Sequence, residues 1–190
     1  MCFGRPIAVG FLLGLCAFAL FFVSDYNDWR LGRQELKLCF PLGGVLLAAG
    51  TLLRWGHGAR LLTGVLRAAG LLLGVGFLLL LLYTLFFALP VKASYARPGE
   101  KRSVCTTGVY ALCRHPGVLW FWGLYLCLWG AGGFPWQDAA AYCLLNLLLV
   151  LFEDRCVFPD KLEGYEAYRM AVPFLIPSGK SIRSCIRTLF

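Results

Sequence analysis

Charged residues are scarce in this chain. They make up 15% of its 190 residues, whereas soluble domains usually carry about 25%. Hydrophobic residues reach 59%, and the mean hydropathy is +0.72. So little charge excludes a typical soluble domain. The composition instead predicts one integral membrane domain over residues 1–190.

Patterns of metal ligands are also missing. The chain has two histidines and nine cysteines, and no two cysteines have the C-x-x-C spacing. We therefore expect no metal site of the common zinc type. Several cysteines lie inside apolar runs, which is typical of buried thiols.

Acidic residues are few, so the formal net charge is +8. A basic chain often binds nucleic acid. Here, however, Lys and Arg lie between the apolar runs and after the last one, as they do in the loops of membrane proteins. We expect membrane lipids as partners, and no nucleic acid.

Five apolar runs predict an all-α polytopic protein with about five transmembrane helices, because about 20 apolar residues cross a bilayer. The runs cover residues 6–24, 38–55, 62–90, 118–134 and 139–152. Three spans therefore lie within 1–90. Only residues 135–138 separate the last two runs, which predicts a tight antiparallel hairpin. The fifth run is short and must continue to about Phe158 to complete a helix.

The tail is predicted to hold an amphipathic helix over 160–171, followed by a basic, frayed segment over 178–190. With five spans, one membrane face receives every Lys and Arg except Arg5, Arg54, Arg60 and Arg67. The rule that cytoplasmic loops are rich in Lys and Arg places that face, and the C-terminus, in the cytoplasm. Every acidic residue except Asp138 shares it.

Two polar clusters flank the predicted hairpin, and the hairpin returns the chain to the same face. The first contains Gly108, Tyr110, Arg114, His115 and Pro116, and the second contains Glu153, Asp154, Tyr165, Tyr168, Val172, Pro173 and Pro177. Ionisable residues at a membrane are costly and usually functional. The two clusters are therefore predicted to meet and form a site.

An ordered pattern covers about residues 90–177: Gly-x-Tyr-x-x-x-Arg-His-Pro, a hydrophobic hairpin, an acidic pair, Tyr-x-x-Tyr-x-x-x-Val-Pro and Ile-Pro. It resembles the membrane-embedded S-adenosylmethionine-dependent methyltransferases, which include isoprenylcysteine carboxyl methyltransferases and phospholipid N-methyltransferases. The resemblance implies that residues 91–177 form the catalytic half and bind S-adenosylmethionine in a pocket open to the cytoplasm. A lipophilic or prenylated acceptor, small molecule or protein, would enter from the bilayer. The membrane would be a bacterial inner membrane or the endoplasmic reticulum.

The resemblance also implies which residues form the site. The catalytic candidates are Arg114, His115 and Glu153. The cofactor-binding candidates are Tyr110, Arg114, His115, Pro116, Glu153, Asp154, Tyr165 and Tyr168. The chain departs from the family pattern at Val118, where Tyr is frequent, at Asp154, where Glu is usual, and at Phe174, where Arg is common.

The chemistry of these residue types suits the cofactor. Arg114 can pair with its carboxylate, and Glu153 or Asp154 can accept from its ammonium group or its ribose. Tyrosine ring faces can contact the sulfonium or the adenine. His115 is the natural general base if the acceptor is a protonated amine or thiol.

Two other functions fit the same residues. One is an NADPH-dependent membrane reductase like the sterol reductases, although the chain is short for it. The other is a non-enzymatic membrane adaptor whose polar clusters hold helices together. Within the methyltransferase reading, a prenylcysteine carboxylate, a lipid amine and a thiol all remain open as acceptors. The sequence indicates no oligomeric state.

Overall fold

The computed structural model describes residues 5–88 and 101–189, with side chains from residue 8 onward. The described chain is mainly helical. Its helices are α1 (Arg5–Tyr26), α2 (Cys39–Arg54), α3 (Gly64–Phe86), α4 (Val109–Leu112), α5 (Pro116–Cys127), α6 (Trp136–Phe152), α7 (Phe158–Lys161), α8 (Tyr165–Ala171) and α9 (Gly179–Thr188). Two short strands, β1 (Arg102–Ser103) and β2 (Leu162–Glu163), pair in parallel.

Within residues 5–88 and 101–189, three segments are long and apolar enough to cross a membrane, namely Ala8–Leu31, Glu35–Arg54 and Gly64–Phe86. They correspond to the three spans predicted within 1–90 and are compatible with an integral membrane protein. The first is longer than expected, because α1 continues past Ser24 into a π-helical turn, Asn27–Leu31. The side chain of Asn27 exchanges two hydrogen bonds with the backbone of Arg33 and so fixes the end of this helix.

The second half of the chain is built around α5 and α6, which pack against each other. A π-helical turn, Leu128–Gly132, extends α5, and a second, Glu153–Val157, joins α6 to α7. The polypeptide therefore remains helical from Trp136 to Lys161. The turn after α6 carries the predicted acidic pair.

The predicted tail helix over 160–171 is wrong in its bounds. Its first two residues belong to α7, and strand β2 follows; the Glu163 carbonyl accepts a hydrogen bond from the Val104 amide at 3.2 Å, so pairing with β1 interrupts the predicted helix. Residues 179–188, predicted to be frayed, form α9. The hydroxyl and amide groups of Ser178 and Ser181 cap each other, which stabilises the start of a helix.

Helices α1 and α2 approach each other closely through glycines. A Cβ atom at Gly50 would lie 2.6 Å from the Gly10 carbonyl oxygen, and no side chain fits at that distance. On the same helix, a Cβ atom at Gly44 would meet nothing within 4 Å. Small residues at such contacts let two helix backbones pack directly, as is usual in membranes.

Gly50→Ala is therefore expected to force α1 and α2 apart and to lower the free energy of unfolding by about 1–3 kcal/mol, the usual range for overpacking. Unfolding by SDS in mixed micelles measures it. Gly44→Ala is the matched control and should leave stability equal or slightly higher, since Ala favours a helix. Equal stability of the two variants would contradict this packing.

The buried core joins α1 to α5 and α6 through aromatic side chains. Its largest side chains are those of Phe18, Phe121, Tyr125, Phe134 and Tyr142.

A buried ion pair lies where α2 ends and α6 begins. The Arg54 guanidinium donates to the Asp138 carboxylate, with Nη2 3.1 Å from Oδ1, and each residue is less than 9% exposed. This pair ties the two helices together at one end. The polar clusters lie near the opposite end of α6, beyond Phe152.

Candidate functional site

A cavity of about 240 Å³ lies between the C-terminal end of α1, the segment 102–114 and the chain from Glu153 to Tyr168. Five predicted site residues line it: Tyr110, Arg114, Glu153, Tyr165 and Tyr168. The two polar clusters, far apart in sequence, therefore share one cavity.

Three other predicted residues, His115, Pro116 and Asp154, are not among the residues that line the cavity. His115 is 6% exposed and Asp154 is 4% exposed. Both side chains are buried next to residues that line the cavity, and their contacts hold lining side chains such as Arg114 and Tyr165 in place.

Asp154 is the centre of a hydrogen-bond network. Its carboxylate accepts two hydrogen bonds from Arg114 Nη1, at 2.7 and 2.9 Å, and one from the Tyr165 hydroxyl at 2.6 Å. His115 Nε2 lies 3.2 Å from Oδ1. With these partners the carboxylate is largely saturated, and its hydrogen bonds hold the side chains of Arg114 and Tyr165 in place.

The same contacts keep Asp154 ionised. Burial alone would raise the pKa of this carboxyl. The hydrogen bonds from His115 and Tyr165, with the charge of Arg114, outweigh burial and lower its pKa to about 2. A carboxylate without a proton can only accept, so His115 Nε2 carries the proton that it shares with Asp154.

His115 is enclosed by two aromatic rings. The Phe158 ring stacks on it with 5.6 Å between centroids, and the Phe174 ring meets it edge-on at 5.1 Å. Burial lowers the pKa of His115 below its ordinary value of 6.5, against the raising effect of Asp154. The imidazole is therefore neutral at pH 7, with Nε2 protonated.

This state predicts how stability depends on pH. The unfolded chain takes up a proton on this histidine at about pH 6.5, while the folded protein resists it, so stability is full above that value and falls as the pH drops below it. In His115→Gln this part of the pH dependence should be absent. SDS-induced unfolding between about pH 7.5 and 5 measures it. His57→Gln, at an exposed histidine, is the control and should keep the wild-type slope; an unchanged slope in His115→Gln would contradict the assignment.

Glu153 differs from its neighbour Asp154. Its side chain lines the cavity, is 23% exposed and lies 3.7 Å from His115 Nδ1. Burial, together with the nearby carboxyl group of Asp25, raises the pKa of Glu153 well above its ordinary value of 4.5. Its side chain can therefore hold a proton in the cavity or release it.

Asp25, on α1, is a site residue that sequence reasoning missed. It lines the cavity beside Glu153, and so does Asp28. The buried Asp25 Oδ2 atom has no hydrogen-bond donor among the described residues. The signal available in the sequence is the position of two acids directly after an apolar run, where ionisable residues are usually functional.

Opposite charges also line the cavity. Arg102 and Lys161 contribute to its walls in addition to Arg114. The Arg114 Nε–H group is buried without an acceptor among the described residues. The cavity thus offers both carboxyl groups and cations to a ligand. The described residues include no group of three His, Cys, Asp or Glu side chains that could hold a metal ion.

The hydroxyl groups of all three tyrosines that line the cavity are engaged, that of Tyr165 by Asp154. The Tyr168 hydroxyl donates to the Tyr110 carbonyl at 2.7 Å, and the Tyr110 hydroxyl donates to the Thr84 carbonyl at 3.2 Å. The second bond ties the site to α3.

Phe174 and Val118, two departures from the pattern that the sequence resembles, differ in their contacts with the site. Phe174 covers the Arg114 guanidinium, with 5.3 Å from Cζ to the ring centroid, so an aromatic ring stands where the pattern has a second cation. Val118 is 2% exposed and is absent from the cavity lining.

A larger groove of about 460 Å³ lies between α5 and α6. Its walls include Trp122, Trp129 and Trp136 and are apolar. It offers no acid or base for a reaction, so the polar cavity is the candidate site.

Comparison of this chain with protein-family models, with curated proteins and with solved structures finds no match.

Proposed function

We propose that the protein is an integral membrane methyltransferase that transfers a methyl group from S-adenosylmethionine to a lipophilic acceptor. The observation that carries the proposal is the polar cavity, in which Arg114, Glu153 and three tyrosines come together. A ligand that fits such walls has an anionic group, a cationic group and a surface that aromatic rings can contact. S-adenosylmethionine has all three.

Each part of the cofactor has a matching group. Its carboxylate would accept from Arg114, whose Nε–H lacks an acceptor among the described residues and whose planar fork suits a carboxylate. Its ammonium would donate to Glu153 and Asp25. Its sulfonium would lie against the rings of Tyr165 or Tyr168, where a cation is favoured.

The size of the cavity sets a further requirement. Its volume of about 240 Å³ is slightly below the roughly 300–1,000 Å³ of typical ligand pockets. Binding of the whole cofactor therefore requires the walls to move apart. Among the residues of these walls, Arg102 and Ser103 of β1 are exposed.

Methyl transfer needs positioning more than covalent help. When bound, S-adenosylmethionine would supply the methyl group, and residues that hold it in line with the acceptor would contribute roughly 7–11 kcal/mol toward lowering the barrier. An acceptor with a proton to lose also needs a base. Glu153 lines the cavity whereas His115 does not. We therefore assign the role of the base to Glu153, and His115 positions the Glu153 side chain.

The proposal includes the membrane arrangement. We place α5, with the π-helical turn that extends it, and α6 as a hairpin of fourth and fifth spans after α1, α2 and α3, so that Glu153 and Asp154 lie beyond the end of the fifth span. The cavity then faces the cytoplasm, from a bacterial inner membrane or the endoplasmic reticulum, and the acceptor enters from the bilayer. The distribution of Lys and Arg supports this orientation.

A non-enzymatic adaptor is the second candidate. One observation favours it: Arg114 is already paired internally with Asp154, as a structural contact would be. No observation favours the reductase.

Calorimetry on the protein in lipid nanodiscs separates these functions. We expect S-adenosylmethionine and S-adenosylhomocysteine each to bind at one site per chain, and NADPH not to bind. Binding of NADPH alone would favour the reductase. Absence of binding by all three, from protein shown to be folded, would favour the adaptor and overturn the proposal.

A further inference from the structure

Helix α9 (Gly179–Thr188) has three different faces. One packs against α4 and buries Ser181 and Cys185. The two serines at its start cap it, and the Thr188 hydroxyl accepts a hydrogen bond from the Gly108 amide at 2.9 Å. The helix is thus held in place against the segment that carries Tyr110.

A second face of α9 is apolar and exposed. Ile182, Ile186 and Leu189 recur at helical spacing and form one stripe. They are 44%, 60% and 44% exposed. Exposed apolar side chains in a row are unfavourable in water and need a cover.

The third face is basic. Lys180, Arg183 and Arg187 also recur at helical spacing, and the helix contains no acidic residue. None of the ion pairs formed among the described residues includes these three. An apolar stripe beside a basic one is the pattern of helices that lie in a membrane surface.

The position of α9 supports this pattern. It packs on α4, which ends at Leu112, and the apolar helix α5 begins at Pro116. In the proposed arrangement α5 enters the membrane there, so α9 lies at the level of the lipid headgroups. Lys180, Arg183 and Arg187 then face the lipid headgroups of the inner leaflet.

We infer that α9 binds the membrane surface and selects anionic lipid headgroups, with the apolar stripe of Ile182, Ile186 and Leu189 inserted among the acyl chains. This site is separate from the cavity. The inference rests on the proposed membrane placement of α5 and needs no bound cofactor. Because α9 braces α4, its attachment to the membrane also supports the wall that carries Tyr110.

Hydrogen exchange of the full-length protein in nanodiscs tests it. Each basic residue near an anionic surface strengthens attachment about fivefold. We therefore expect amides of residues 179–189 to exchange at least about tenfold more slowly with about 30% phosphatidylglycerol than in pure phosphatidylcholine. Salt at about 1 M, where screening acts within about 3 Å, should remove the difference.

Matched variants identify the cause. The triple variant Lys180→Gln, Arg183→Gln, Arg187→Gln should lose the dependence on phosphatidylglycerol. The triple variant Arg30→Gln, Arg33→Gln, Lys37→Gln removes the same charge from another loop of the proposed cytoplasmic face and should keep it. Equal exchange in the two lipid mixtures, or the same loss in both variants, would overturn the inference. Neither outcome bears on cofactor binding, which is measured separately.

Discussion

Arg114→Ala is expected to lower the affinity for S-adenosylmethionine by at least about 100-fold. The variant removes the cation that would pair with the cofactor carboxylate, and hydrogen bonds between charged groups are the strong ones. It also leaves Asp154 buried without its main counter-charge, which usually destabilises a protein by about 3–5 kcal/mol. Calorimetry in nanodiscs measures the affinity, and SDS-induced unfolding measures the stability.

Two further variants separate binding from folding. Arg114→Lys keeps the positive charge beside Asp154 but loses the planar fork, so we expect a folded protein with clearly weaker binding. Arg155→Ala removes an exposed arginine from the turn that carries Asp154 and should bind normally. An affinity of Arg114→Ala within about threefold of wild type would remove Arg114 from the site, since such a change is below 1 kcal/mol.

Asp154→Asn is expected to destabilise the protein by about 3 kcal/mol near neutral pH, because Arg114 then lies buried without its counter-charge. Cofactor binding should weaken as well, since Asp154 holds both Arg114 and Tyr165. This variant keeps the shape of the side chain, so the effect comes from the lost charge. SDS-induced unfolding at several pH values measures it.

The pKa of Asp154 determines how the stability effect of Asp154→Asn changes with pH. The folded pKa of Asp154, about 2, lies below its ordinary value of 3.8. Its stabilising contribution is therefore full above about pH 4 and is lost as the pH falls through about 2. The difference in the free energy of unfolding between wild type and Asp154→Asn should be constant near neutral pH and should become smaller in strong acid. Glu166→Gln changes an acid that is 71% exposed and should leave the free energy of unfolding almost unchanged. A similar loss of stability in both variants would contradict a special role for Asp154.

The convergence of the two polar clusters was predictable from sequence. Arg114 and Asp154 lie on either side of α5 and α6, and two helices joined by a short connection bring their far ends together. The two residues are joined by two hydrogen bonds. The helical content and three membrane-compatible segments followed from composition and apolar run length in the same way.

The division of labour within the site was not predictable. Glu153 lines the cavity while its neighbour Asp154 does not, and both lie on the π-helical turn Glu153–Val157. Such a turn changes which side chains share a face, and no local sequence signal marked it. Asp25 was missed for a different reason, because its proximity to Glu153 arises from the packing of α1 near α6.

The end of the chain shows a third limit. Residues 179–188 contain many polar and β-branched residues, which favour a helix weakly, and the sequence was interpreted as a frayed tail. The cap at Ser178 and the burial of Cys185 against α4 outweigh that preference. Tertiary contacts decide such cases, and propensity does not include them.

The most direct test of the central claim is methyl transfer itself. The protein in native membrane vesicles is incubated with S-adenosylmethionine labelled in its methyl group, and lipid extracts and prenylated proteins are analysed for label. We predict a labelled lipophilic product from wild type and from Arg155→Ala, and none from Arg114→Ala. Absence of label from wild-type protein that binds the cofactor, or equal labelling in Arg114→Ala, would contradict the account.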